Sequence, residues 1–147
     1  MKNSKKITAL ALALFLALAL MSACAPTPKT PPNTLTVSGY FVAEKVVLID
    51  NAETAGGADV TALDVIKSAL HTRGFSFSDD VYIHTVTTPD GISYAATDSG
   101  GWLFAVNGAI PEVGAADCIV APGDHIDLRF VADYNTGVDW ATGQFID

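Results

Sequence analysis

A strand ending in an Asn-Gly turn, one loop away from a second strand that opens on a Pro-Gly-Asp turn, constrains this chain more than any other feature. Gly101-Trp102-Leu103-Phe104-Ala105-Val106 reads as the first strand, and Asn107-Gly108 supplies the two residues that tolerate φ > 0 in a tight hairpin turn. A loop carrying Gly114-Ala115-Ala116-Asp117-Cys118 follows, then the turn Pro122-Gly123-Asp124. From His125 onward, Ile126, Leu128 and Phe130 alternate with Asp127 and Arg129. That period of two marks a strand with one apolar face. Period-two geometry also puts Trp102 and Phe104 on one face of their strand with Leu103 opposite. A sheet built this way has to bury its apolar face under a second layer.

The upstream sequence supplies that layer. Leu35-Thr36-Val37-Ser38-Gly39-Tyr40-Phe41 and Lys45-Val46-Val47-Leu48-Ile49 read as strands, and Asn51 to Asp59, with Gly56-Gly57, reads as a loop. Thr61 is then a helix N-cap with Asp64 three residues on, close to a capping box. Leu63, Ile66, Ala69 and Leu70 fall on one helical face, and Gly74 ends the helix as its C-cap. Val81 to Thr87 reads as a strand, Pro89-Asp90-Gly91 as a turn, and Ile92 to Ala95 as a further β segment leading to Trp102. The expected architecture is α+β: a single domain with a β-grasp-like mixed sheet crossed by one helix. The tail beyond Val131, with Tyr134, Trp140 and Phe145, is expected to be a final strand or a cover over an apolar edge.

The N-terminus is expected to place the domain outside the cytoplasm. Lys2, Lys5 and Lys6 precede an apolar stretch from Ala9 to Met21, which ends in Met21-Ser22-Ala23-Cys24. A charged start, an apolar centre and small residues before a cysteine form a signal peptide over residues 1–23 of the bacterial lipoprotein type. The apolar core is shorter than the ~20 residues a membrane span needs. Cys24 is the expected lipid attachment site, taking acyl chains such as palmitate that hold the protein on the bilayer. Residues 24–33 contain Pro26, Pro28, Pro31 and Pro32 and read as an extended linker, so the domain is expected over residues 34–147.

Charge and cysteine count exclude other classes. Three of the eight basic residues and none of the sixteen acidic ones precede Cys24, leaving five against sixteen, a net charge of −11. Nucleic acid would be repelled, and no basic stripe exists to bind it. With Cys24 acylated, Cys118 has no disulfide partner, and its apolar neighbours Ile119 and Val120 suit a buried small hydrophobe. His71, His84 and His125 show neither metal-ligand spacing nor a neighbouring nucleophile motif, so no enzyme, metal site or required cofactor is expected. His71 complements the helix dipole from the last turn. His84 has two readings, a structural strand histidine or an imidazole able to ligate cobalt. Asp79-Asp80, Asp98, Asp117 and Asp124 lie in loops, where oxygen ligands could serve calcium, but the calcium-loop spacing is missing and turn formation alone explains them.

From about Val60 to about Val131 the chain resembles the C-terminal β domain of the vitamin B12 carriers transcobalamin and intrinsic factor, and its relatives among bacterial surface proteins. The resemblance rests on Thr61-Ala62-Leu63-Asp64-Val65-Ile66, Phe75-Ser76-Phe77, Trp102 with Phe104, Gly114-Ala115-Ala116-Asp117 and Gly123-Asp124, in order and spacing. Cys118 stands where the animal carriers tend to have an aromatic residue. The carriers' helical domain has no counterpart here, so full enclosure of a ligand is not expected. The resemblance implies an α+β fold and a corrinoid-binding face made of His84, Thr85, Trp102, Phe104 and the loop Ile110, Pro111, Glu112 and Val113. The resulting expectation is a membrane-anchored extracytoplasmic lipoprotein that captures a corrinoid or another small ligand. The alternative is a surface interaction or adhesion module, or a calcium-binding protein, on the same fold.

Overall fold

The structure is a computed structural model that describes residues 29–41, 44–54, 56–78 and 81–147. The expected signal peptide, Cys24 and Asp79-Asp80 lie outside the described residues. Strands β1 (Asn33–Phe41), β2 (Glu44–Thr54), β6 (Gly101–Val106) and β7 (His125–Val131) form one sheet in the order β2-β1-β7-β6. Its central pair, β1 and β7, is parallel, and both outer pairs are antiparallel. Helix α1 (Ala62–Thr72) packs on β1, β2 and β7. A mixed four-stranded sheet with a parallel centre and one crossing helix is the β-grasp-like α+β arrangement expected from the sequence.

The alternation in β7 builds the core. Register pairs Leu35 with Ile126 and Val37 with Leu128, and all four are buried beneath Leu63, Val65, Ile66, Ala69 and Leu70 of α1. At its start the helix carries a complete capping box. The Thr61 hydroxyl accepts from the Asp64 N–H at 3.1 Å while the Thr61 N–H donates to the Asp64 carboxylate at 3.0 Å. A cap of this kind contributes about 1 kcal/mol. Its hydrogen bonds from Thr61 hold the Asp64 carboxyl below its ordinary value. The contribution is therefore present at neutral pH and is lost as pH falls through that lowered value.

The end of α1 differs by one residue from the sequence reading. Arg73 is the C-cap and Gly74, at φ 76°, lies beyond it. The Phe75 N–H reaches the Leu70 carbonyl and the Gly74 N–H the His71 carbonyl, both at 3.0 Å. This is a Schellman motif, and Phe75 packs against the core.

Two local expectations are corrected. The loop expected from Asn51 to Asp59 is strand as far as Thr54, because a register shift opposite Leu35 and Val37 absorbs Asn51 in the left-handed region, φ 45°, and lets Ala52 and Thr54 return to the buried face. The strand expected from Val81 to Thr87 is only β4, Thr85–Thr87. It is the middle strand of a second, antiparallel sheet between β3 (Ser76–Phe77) and β5 (Ser93–Ala95). Although Ile83 is buried, Val81 and Tyr82 are exposed and unpaired by any ladder, so the apolar run there packs without forming a strand.

The tail is a cover. After α2 (Tyr134–Gly137), β8 (Val138–Asp139) and β9 (Gln144–Phe145) form a small hairpin. Arg129, on the sheet face away from α1, stacks over the Phe145 ring at 4.4 Å and pairs with Asp127 at 3.0 Å and Asp147 at 2.8 Å. The first residue of β1, Asn33, is fully buried and accepts from the Gly123 N–H, so the folded unit includes the residue before Thr34.

Candidate functional site

The Asn107-Gly108 turn forms as expected, with φ of 52° and 86°. Val106 and Ala109 exchange both main-chain hydrogen bonds, at 2.8 and 3.1 Å. A hairpin begun this way would next place residue 111 opposite Phe104. That residue is Pro111, which has no N–H to give, and the returning chain leaves the strand. The Ile110 N–H bonds instead to the Gly143 carbonyl of the tail, at 2.7 Å. Further along, Leu63 and Ala62 tie this loop to the helix start through the Ala115 and Cys118 carbonyls.

The splay leaves an apolar cavity of about 430 Å³ between β6, the helix and the loop. Leu63, Ile66 and Leu128 come to it from the core, Trp102, Leu103 and Phe104 from β6, and Ile110, Pro111 and Val113 from the diverging loop. Val81, Tyr82 and Ile83 close one side, and Trp140 reaches in from the tail. Val81 is 76% exposed, Trp140 59% and Val113 50%, so apolar side chains ring an open mouth. The volume falls within the usual range for small-ligand sites.

Trp102 and Phe104 differ in role. Trp102 is 2% exposed, packs edge-on against Tyr94 and Phe130, and donates its Nε1–H to the Tyr94 carbonyl at 3.0 Å. Phe104 is half-buried and available to the cavity. The Tyr82 hydroxyl lies beside the Tyr134 hydroxyl at the start of β6. Burial, reinforced by Tyr134, pushes its pKa up to about 12, so it remains a neutral phenol. Both hydroxyls crowd Gly101, where a Cβ would lie 2.6 Å from the Tyr134 oxygen and 2.9 Å from that of Tyr82. Glycine at this position allows the wall to close.

Of the site residues expected from the sequence, the cavity gathers Trp102, Phe104, Ile110, Pro111 and Val113. Glu112 is exposed and does not line it. Thr85 is half-buried outside the cavity and donates its N–H to Ser78. His84 is corrected from a central strand position: it precedes β4, is exposed, and has Nδ1 3.2 Å from the Thr85 hydroxyl. Its N–H donates to the Ser78 hydroxyl and its carbonyl accepts from the Ala96 N–H, and it is not among the residues that line the cavity. Sequence reasoning missed Tyr82 and Trp140. Tyr82 was masked by a strand-like alternation, and Trp140 lies beyond the segment that carries the family resemblance.

Asp117 is the only carboxylate among the lining residues, and no Lys, Arg or His joins it there. The cavity therefore suits a neutral or cationic ligand and disfavours an anion. Elsewhere, Asp124 serves its turn, accepting from the Ala121 N–H and the Asn107 amide. Among the described residues, no three His, Cys, Asp or Glu side chains converge on a metal position. Cys118 is half-buried, and desolvation raises its thiol pKa, with Asp124 adding to the effect. No described helix is long and apolar enough to cross a membrane.

No curated protein matches the chain. Among solved structures it is similar to haptocorrin, in a crystal structure of that protein in complex with Cbi, at 19% identity and a TM-score of 0.44. That match covers 77% of this chain, which spans only 28% of the haptocorrin chain. Residues 59–132, half of the sequence, match the family model described as a domain of unknown function, DUF4430. The chain belongs to the DUF4430 family.

Proposed function

We propose that the protein is a membrane-anchored, extracytoplasmic binding lipoprotein, not an enzyme, that captures a corrinoid or another small ligand of similar chemistry. The observation that carries this reading is the convergence of Trp102, Phe104, Ile110, Pro111 and Val113 on one apolar cavity. The resemblance to the vitamin B12 carriers implies a ligand face that includes these same five residues. The absence of a cation in the lining fits a neutral or positively charged macrocycle, one edge of which the cavity would hold while the rest faced the open mouth.

Both tryptophans of the chain, Trp102 and Trp140, line the cavity, so intrinsic fluorescence reports occupancy. Cobinamide and cobalamin are expected to quench it saturably. Phe104→Ala should weaken that binding about tenfold, the equivalent of ~1.4 kcal/mol of lost apolar contact, with a smaller loss of Tm than Trp102→Ala causes. Absence of saturable quenching by any corrinoid would remove the corrinoid reading. It would favour the surface-interaction alternative, which draws support from the exposed Val81, Val113 and Trp140 at the mouth.

Anchoring is tested separately. Lipid attachment needs the Cys24 thiol, so Cys24→Ser should abolish incorporation of labelled palmitate and release the protein from the membrane fraction. Unchanged labelling of the variant would refute the lipoprotein reading.

A further inference from the structure

The place of Trp140 in the cavity is set from the opposite side of the sheet. The β8–β9 hairpin that carries it has two-residue strands, and none of residues 139–147 is buried. A hairpin this short is at best marginally stable alone, so its position depends on the contacts that hold it down. At the cavity, the Gly143 carbonyl accepts from the Ile110 N–H at 2.7 Å, and the Trp140 Nε1–H donates to the Tyr134 carbonyl of α2 at 3.0 Å. The other end of the hairpin lies on the face away from α1. There Phe145 sits under the Arg129 guanidinium, and Asp147 accepts from Arg129 and Lys45 at 2.8 and 3.0 Å. Because β6 is the edge strand, the hairpin joins that face to the cavity around the edge. The Arg129 side chain is 8% exposed and is held on its own strand by Asp127. A desolvated cation fixed this way binds an aromatic face and a carboxylate more strongly than a surface charge does.

We propose that Arg129 is a positioning residue for the ligand cavity. It is not among the lining residues, yet by holding Phe145 and Asp147 it fixes the hairpin, and the hairpin fixes Trp140 as a wall at the mouth. This rests on the small-ligand reading above and adds to it a determinant of affinity that lies outside the site. An indole already in place when the ligand arrives loses less freedom on binding than one carried by a loose hairpin. Release of the hairpin would restore that cost and take the main-chain partner from Ile110. Arginine suits the role because one planar group stacks on the Phe145 ring while its two ends meet Asp127 and Asp147. The compact ammonium of a lysine cannot do all three at once.

The test changes the hairpin's side of these contacts, because Arg129 is buried and its loss would leave Asp127 without its partner. Phe145→Ala/Asp147→Ala alters two residues that do not line the cavity. In this double variant, amide exchange followed by NMR should rise about tenfold at the Ile110 N–H. It should stay unchanged at the Val120 N–H, which bonds to the Val60 carbonyl at 2.9 Å. Calorimetry with dicyanocobinamide and with the uncharged dye Nile red should show affinity falling about tenfold. Phe145→Tyr keeps a ring under Arg129 and should bind as the wild type does. Trp140→Ala should weaken binding to the same extent as the double variant, and combining them should weaken it no further, since both remove one wall. A general loss of stability would instead give additive losses, and these would overturn the inference. So would unchanged exchange at Ile110, or raised exchange with both affinities intact, and each of these results leaves the ligand-binding reading standing. If neither probe binds the wild-type protein, both fall.

Discussion

Trp102→Ala is expected to lower stability by about 3 to 5 kcal/mol, the range for deleting a buried aromatic side chain. Trp102 is 2% exposed, and its ring centroid lies 6.5 Å from that of Tyr94 and 5.3 Å from that of Phe130, at angles of 79° and 69°. These edge-to-face contacts add to burial. The indole N–H also satisfies the carbonyl of Tyr94 in β5, so this side chain fastens the three-stranded sheet to the four-stranded one. Its removal leaves a void and takes away one hydrogen bond between the two sheets. Against a typical total of about 5 to 15 kcal/mol, most of the domain's margin would go. Chemical denaturation of wild type, Trp102→Ala and Trp102→Phe separates the terms. The phenylalanine variant keeps most of the packing and loses the hydrogen bond, so it should fall between the other two. A loss below about 1 kcal/mol for Trp102→Ala would mean that β6 does not bury this ring.

The fold was legible where local chemistry decides it. Thr61 and Asp64 announce the helix start because their side chains satisfy main-chain groups within the same turn, and the pair forms a full capping box. Asn107-Gly108 announces the hairpin because few other residue pairs accept two left-handed conformations in succession. The alternation of Ile126, Leu128 and Phe130 announces β7, whose neighbours are set by tertiary pairing.

Errors arose where distant contacts override local pattern. Asp50-Asn51 looks like a strand end, yet β2 continues beyond it because β1 offers a full partner and Ala52 a buried position. Val81 and Ile83 look like a strand, yet Ile83 is buried in the core while the Tyr82 hydroxyl lies against Gly101 at the start of β6. The same distinction divides the site. The strand and loop residues around Trp102 and Pro111 were visible because one hairpin contains them. Trp140 was not, since it reaches the cavity only through a tail secured by the Gly143–Ile110 hydrogen bond and by Arg129.

Ile66→Ala is expected to cost about 2 to 5 kcal/mol. Ile66 is 1% exposed at the middle of α1, where the capping box and the Schellman motif fix the helix at both ends and so fix which face meets the sheet. Its side chain belongs to the core with Leu35, Val37, Ile126 and Leu128 and also lines the cavity. Truncation therefore extends an existing space, and the surrounding backbone, held by both helix caps, has little freedom to collapse into it. Ser68, two residues on, is exposed, and Ser68→Ala should change stability by no more than about 0.5 kcal/mol. The urea midpoints of the two variants, at unchanged slope, measure the contrast. Equal midpoints would require α1 to present another face to the sheet, and the cavity floor with it would have to be built from different residues.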